Sequence, residues 1–231
     1  PCTGHAAGTW GAPVGNGLMI IIGLTGSVAS GKSTVAGWIA ERGIAVHDAD
    51  ATVHSLMVAD GAAVPDIIAR FGMSVLADDG GIDRKKLGNH VFEHPQDRKI
   101  LESILHPMVR QHRDQFLADH RRLGSKIVVL DVPLLFETGG DALCNYVVVV
   151  HAGEDTIRQR ALARPRMTEN KLAGILKTQM PASEKCQRAD LVLDTDLSPE
   201  VTQQHLFSWL DDVPLHSDDS NSDMSKGNDD A

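Results

Sequence analysis

Met19-Ile20-Ile21-Ile22-Gly23-Leu24-Thr25-Gly26-Ser27-Val28-Ala29-Ser30-Gly31-Lys32-Ser33-Thr34 decides the fold of this chain. Its first half is an apolar, β-branched run of the length of a buried strand. Its second half carries the spacing G-x-x-x-x-G-K-[ST], from Gly26 through Gly31, Lys32 and Ser33. Such a loop curls consecutive backbone N–H groups around a phosphate, and the helix that follows points its positive N-terminal end at the same anion. In this reading Gly26, Ala29, Ser30, Gly31, Lys32, Ser33 and Thr34 form the phosphate cradle. Lys32 reaches the β- and γ-phosphates, and the Ser33 hydroxyl sits on Mg²⁺. After Lys32, Val35, Ala36, Ile39 and Ala40 keep helical spacing up to Gly43, which reads as a C-terminal cap. A glycine-rich turn that binds nothing would not need Lys-Ser at this point.

Working outward, buried-strand runs recur at Met19–Leu24, Ile44–His47, Ile127–Val132, Tyr146–His151 and Leu191–Leu193, with helical patterns between them. That alternation predicts a doubly wound α/β sheet. From Ala51 to Ser125 no convincing strand interrupts the helical pattern, so a helical insertion is expected there. Within it Ile100, Leu101, Ile104, Leu105 and Met108 keep i, i+3, i+4 spacing. Pro107 removes an N–H, and it predicts a kink or a new helix start. A second helical stretch runs from Asp155 to Gln179, divided by Pro165, with Thr168 placed to cap its second helix. Ser198-Pro199-Glu200 opens a terminal helix whose packing face is read as Val201, His205, Leu206, Trp209 and Leu210.

The chain has 231 residues, and its formal charge of −9 is concentrated at one end. From Asp211 onward there are seven aspartates and one lysine, which leaves only −3 for residues 1–210. So balanced a body argues against general nucleic-acid binding, which wants a basic face. No apolar run approaches the ~18 residues of a membrane span. Three cysteines, Cys2, Cys144 and Cys186, show no metal or disulfide spacing. With no targeting segment visible, a cytoplasmic location is expected, with no membrane association and no obligate protein partner. Pro1–Leu18 is expected to be an extension without regular structure, and 211–231 an acidic disordered tail.

A phosphate loop names no reaction. The guanine-reading Asn-Lys-x-Asp is absent, since Asn170-Lys171-Leu172-Ala173 lacks the aspartate. Further chemistry gathers at strand ends, where open α/β sheets place their ligands. His47-Asp48-Ala49-Asp50 ends the second strand: one aspartate can face the phosphate region while backbone donors hold the other, or the pair can simply cap a helix. Asp131, ending the third strand, is placed as a Walker B carboxylate for Mg²⁺, or is a solvated strand end. Arg158, Arg160, Arg164 and Arg166 cluster on the second insertion, with Arg164 beside Pro165 the best placed to swing toward a transferring phosphate.

These residues resemble the dephospho-CoA kinase family. The likeness runs from about Met19 to Leu210. It rests on Gly23-Leu24-Thr25-Gly26 with the loop, Asp48-Ala49-Asp50, Phe92-Glu93-x-Pro95, Leu105-His106-Pro107, Pro133-Leu134-Leu135-Phe136-Glu137, Gln179-Met180-Pro181, and Lys185 with Ala189-Asp190. The resemblance implies a P-loop NTPase fold with a five-stranded parallel sheet. It also implies a helical substrate-binding insertion at about 51–125, a helical lid at about 155–185, and a domain spanning 19–210. It implies ATP as co-substrate, Mg²⁺, and dephospho-CoA as acceptor, with Asp50 as catalytic base and Lys32 and Arg164 on the phosphates. The chain departs from the family's pattern at Val28-Ala29, where Ile-Gly is common, and at Val192-Leu193-Asp194-Thr195, where an Ile-Asx-Asn segment is frequent.

Overall fold

The computed structural model describes residues 19–165 and 167–213. The predicted N-terminal extension, most of the acidic tail and Arg166 lie outside the described residues.

Five parallel strands form one sheet: β1 (Ile20–Gly26), β2 (Ala45–Asp48), β3 (Ile127–Asp131), β4 (Tyr146–His151) and β5 (Leu191–Asp194), in the order β2-β3-β1-β4-β5. Each begins and ends within two residues of its predicted run. Between them lie α1 (Lys32–Glu41), α2 (Ala49–Ser55), α3 (Val64–Phe71), α4 (Arg84–Glu93), α5 (Pro95–Arg122), α6 (Glu154–Leu162), α7 (Glu169–Thr178) and α8 (Ala182–Gln187), with α9 (Pro199–Asp212) closing the fold.

The period-two alternation of β1 sorts the core into two layers. Ile20, Ile22 and Leu24 face α1 and α9, packing with Val35, Ile39, Leu206 and Leu210. Ile21 faces the other way, toward Leu117 near the end of α5. Farther along that second face, Val147 and Val149 pack with Leu135 and Phe136. Gly43 closes α1 as predicted: at φ +78 its N–H donates to Ala40 O and the Ile44 N–H to Ile39 O, the paired bonds of a Schellman cap. Thr168 and Ser198 accept backbone N–H groups at the starts of α7 and α9, also as read from the sequence.

Three local expectations need correction. α5 runs unbroken for 28 residues through Pro107, so no new helix starts there. The lost N–H is a local cost. Packing of Leu101, Ile104, Leu105 and Met108 into a separate core with Met57, Val64, Ile67, Val75, Ile82 and Leu87 outweighs it. On α9, Val201 and His205 are exposed, while Thr202, Leu206 and Leu210 are buried and Trp209, as expected, packs with Phe207 against the same core. Thr202 was missed because it is polar, but its hydroxyl donates to Asp194 O at 2.9 Å and so enters the core satisfied. α9 also runs past residue 210 to Asp212, and Val213 is buried in the main core, so residues 211–213 belong to the folded body.

Candidate active site

β1 ends in the loop, and the parallel neighbour β3 ends beside it in Asp131, paired in register with Asp48 of β2. Strand order reverses around β1, the crevice where ligands bind in doubly wound sheets. Gly26 and Gly31 are required here for different reasons. A Cβ on Gly26 would lie 2.5 Å from Val150 O, and Gly31 takes φ +94 at the entry to α1. No side chain caps α1, so its first turn presents free N–H dipoles on the loop side. The Ser30 hydroxyl is buried there without a hydrogen-bond partner among the described residues. Ser33 and Thr34 are exposed at the start of α1. An uncapped helix start, a cradle too tight for side chains and an orphaned hydroxyl are what an anionic oxygen ligand completes.

Ala29, one of two non-glycine residues in the left-handed region among the described residues, has φ +58. Its methyl is buried against Ala161 of α6 and Leu172 of α7, with Val28 and Met167 beside them. The two helices predicted as a lid therefore pack directly on the phosphate loop.

The carboxylates divide their tasks. Asp48 Oδ1 accepts the Ala51 N–H at 2.9 Å and caps α2. Asp50 sits exposed in the first turn of that helix. Asp131 is 2% exposed and is paired with the Lys32 ammonium. Burial pushes the Asp131 carboxyl above its usual range; Lys32 opposes this, and Asp48 and Asp50 add to it. Three carboxylates and one ammonium thus share a corner of the sheet. Asp131 and Ser33 are hard oxygen donors of the kind Mg²⁺ takes, and Asp48 and Asp50 act electrostatically on Asp131.

Among the arginines, Arg158 pairs with Glu169. Arg160 donates to Thr195 Oγ1 and Thr195 O, both at 2.8 Å, and Thr195 Oγ1 reaches Ser30 O at 2.8 Å. Arg160 is therefore a strut between α6, the segment after β5 and the loop. Arg164 lies exposed on the turn between α6 and α7, with its backbone bonded to Ala161 and Met167. It is not brought into contact with Lys32 or Asp50.

A second polar network carries no predicted role. Gln179 Oε1 accepts the Val28 N–H of the loop at 3.2 Å. The adjacent Met180 N–H donates to Glu137 Oε1 at 2.7 Å, and that oxygen also meets Lys185 Nζ at 3.0 Å. Lys185 is fully buried and donates to Pro133 O, which Thr25 Oγ1 also reaches. This network ties the end of α7 to the loop and to the segment after β3. Glu137, Gln179 and Lys185 lie in motifs quoted above, but no local pattern in the sequence marks them as partners of one another.

Strand order, loop geometry and the carboxylates at neighbouring strand ends together define a P-loop kinase. The family model described as "CoaE: Dephospho-CoA kinase" matches residues 20–200. The chain is 48% identical over 195 residues to the dephospho-CoA kinase of Mesorhizobium japonicum, covering 84% of this chain and 97% of that one. The crystal structure of TT1252 from Thermus thermophilus aligns with a TM-score of 0.69 at 30% identity, over 84% of this chain and 98% of that one. The dephospho-CoA kinase structure from Campylobacter jejuni, at 24% identity and a TM-score of 0.63, covers 84% of this chain and 96% of its own, and shares the fold. The chain belongs to the dephospho-CoA kinase family. No helix among the described residues is long and apolar enough to cross a membrane.

Proposed function

We propose that this chain transfers the γ-phosphoryl group of ATP to the ribose 3′-hydroxyl of dephospho-CoA, giving coenzyme A and ADP. The observation that carries the reading is the meeting of the uncapped loop and helix start with Asp131 and the Asp48-Ala49-Asp50 turn at adjacent strand ends. Loop N–H groups and Lys32 hold the ATP phosphates. Lys32 would thereby exchange its carboxylate partner for phosphate, leaving Asp131 and Ser33 as the residues that would hold Mg²⁺. Mg²⁺ held there would supply charge neutralisation for the transferring phosphoryl group.

Asp50, exposed toward solvent in the free enzyme, orients the acceptor hydroxyl and takes its proton as the new P–O bond forms and the bond to the β-phosphate oxygen breaks. A carboxylate is a weak base. In a loose phosphoryl transition state, positioning and electrostatics outweigh basicity. Arg164 is carried over the γ-phosphate when α6 and α7 close, which also excludes water. Because those helices already rest on Ala29, closure and loop geometry are mechanically linked.

The test is a labelled-ATP transfer assay across dephospho-CoA, AMP, CMP and shikimate. Transfer to dephospho-CoA at least about 100-fold preferred in kcat/KM is expected, a discrimination of about 3 kcal/mol. Preference for another acceptor overturns the reading.

A further inference from the structure

A cluster far along the chain from the phosphate loop has no part in the reaction described. His90 on α4, His94 at the α4–α5 corner and Asp97 in the first turn of α5 each turn a ligating atom toward the others, all within 4.8 Å. His90 and His94 are four residues apart, so a helical turn stacks them on one face; their rings lie 4.6 Å apart at 22°. Asp97 is brought to the same spot by the corner itself, where the Asp97 and Arg98 N–H groups both donate to His94 O.

Each ligand is already oriented. His94 Nδ1 lies 2.8 Å from His90 O, a bond it makes as donor, which leaves the Nε2 lone pair for a ligand. This carbonyl-to-imidazole arrangement is what fixes tautomer and ring direction at zinc sites. His90 Nε2 lies 2.6 Å from Asp97 Oδ2, while the edge of the ring meets Phe71. The other carboxylate oxygen, Asp97 Oδ1, accepts from Arg70 at 2.5 Å, so a metal would take Oδ2 and replace the proton that Oδ2 now shares with His90 Nε2.

We propose that His90 Nε2, His94 Nε2 and Asp97 Oδ2 form a binding site for a divalent transition-metal ion of the zinc class, open to solvent at its fourth position. Two imidazoles and one carboxylate favour Zn²⁺ and Co²⁺ over Mg²⁺, which demands an oxygen shell. Tetrahedral zinc needs ligand atoms about 3.3 Å apart. The His90–Asp97 pair must therefore open slightly and exposed His94 close in, both by side-chain rotation. Arg70 works against the cation by charge while holding the carboxylate in place. The metal would staple α4 to α5 within the helical insertion.

Co²⁺ titration of the full chain, read by its visible ligand-field absorption, followed by displacement with Zn²⁺, tests this. One equivalent giving tetrahedral bands is expected, with affinity reduced at least about 10-fold by His94→Ala and by Asp97→Asn. His205→Ala, a change to an exposed histidine elsewhere, should leave binding intact. Far-UV circular dichroism checks that the variants fold; His94 is exposed, so its removal leaves the core untouched. Absence of tetrahedral bands, or binding unchanged in both site variants, overturns the proposal.

Discussion

Lys185→Met removes a cation that is fully buried yet leaves a side chain of similar length to fill its channel. Pro133 O keeps a partner in the Thr25 hydroxyl, so the loss falls on Glu137. That carboxylate is 16% exposed, and its Oε2 already has no hydrogen-bond partner among the described residues. Only the Met180 N–H would then face its charge. Breaking a buried pair from one side costs about 3–5 kcal/mol, because the remaining charge stays desolvated. With a urea slope of about 2 kcal/mol/M, the unfolding midpoint should drop by about 1.5–2.5 M, followed by circular dichroism. Lys185→Met with Glu137→Gln keeps an acceptor for Met180 and carries no charge, so it should recover to within about 1–2 kcal/mol of the parent. Because Met180 adjoins Gln179, which holds the loop at Val28, the single variant should also raise KM for ATP several-fold. A midpoint shift below about 0.5 M, or a double variant no better than the single, would refute the reasoning.

Asp50→Asn should lower kcat about 100-fold or more while ATP affinity stays within a few-fold, measured by steady-state kinetics and nucleotide titration; unchanged turnover removes Asp50 from its role. At position 29, alanine pays about 1–2 kcal/mol for its left-handed backbone. Glycine would relieve that but lose about 0.8 kcal/mol of buried methyl and some chain entropy. Ala29→Gly should therefore unfold within about 1 kcal/mol of the parent, whereas Ala29→Val, β-branched and pressed on Ala161 and Leu172, should cost more than about 2 kcal/mol and weaken ATP binding. Equal melting temperatures for the two variants would contradict this. Burial, with His112 beside it, holds the His47 imidazole below its ordinary 6.5, so the unfolded chain takes up a proton that the folded chain refuses. Stability should fall as pH drops through about 6.5 toward the lowered folded value, and His47→Phe should flatten that slope in melting curves. Identical pH slopes for parent and variant would argue against it.

Much of the site was legible because phosphate binding constrains local sequence. Gly26, Gly31, Lys32 and Ser33 act through backbone shape and a helix start, both written into consecutive residues. The central strands β1, β3 and β4 were equally legible, since burial on both faces forces unbroken apolar runs, whereas the half-buried edge strands β2 and β5 left shorter ones. Asp48 and Asp50 could be placed at a strand end, but their division into a helix cap and an exposed carboxylate depends on how α2 leaves β2.

Other features exist only in three dimensions. Asp131 meets Lys32 because β3 inserts beside β1, although 99 positions separate them. Gln179 reaches the loop across 151 positions, and Lys185 finds Glu137 only when α8 packs under the sheet. Pro107 is tolerated because the insertion's own core repays a lost hydrogen bond that local propensity alone would not. The chain's sequence by itself determined the nucleotide loop, the strand order's raw material and the family likeness, since each arises from local backbone and burial requirements. Tertiary structure alone decided which charges share a corner and which helix faces close on the loop, because those contacts join segments whose separation no local pattern encodes.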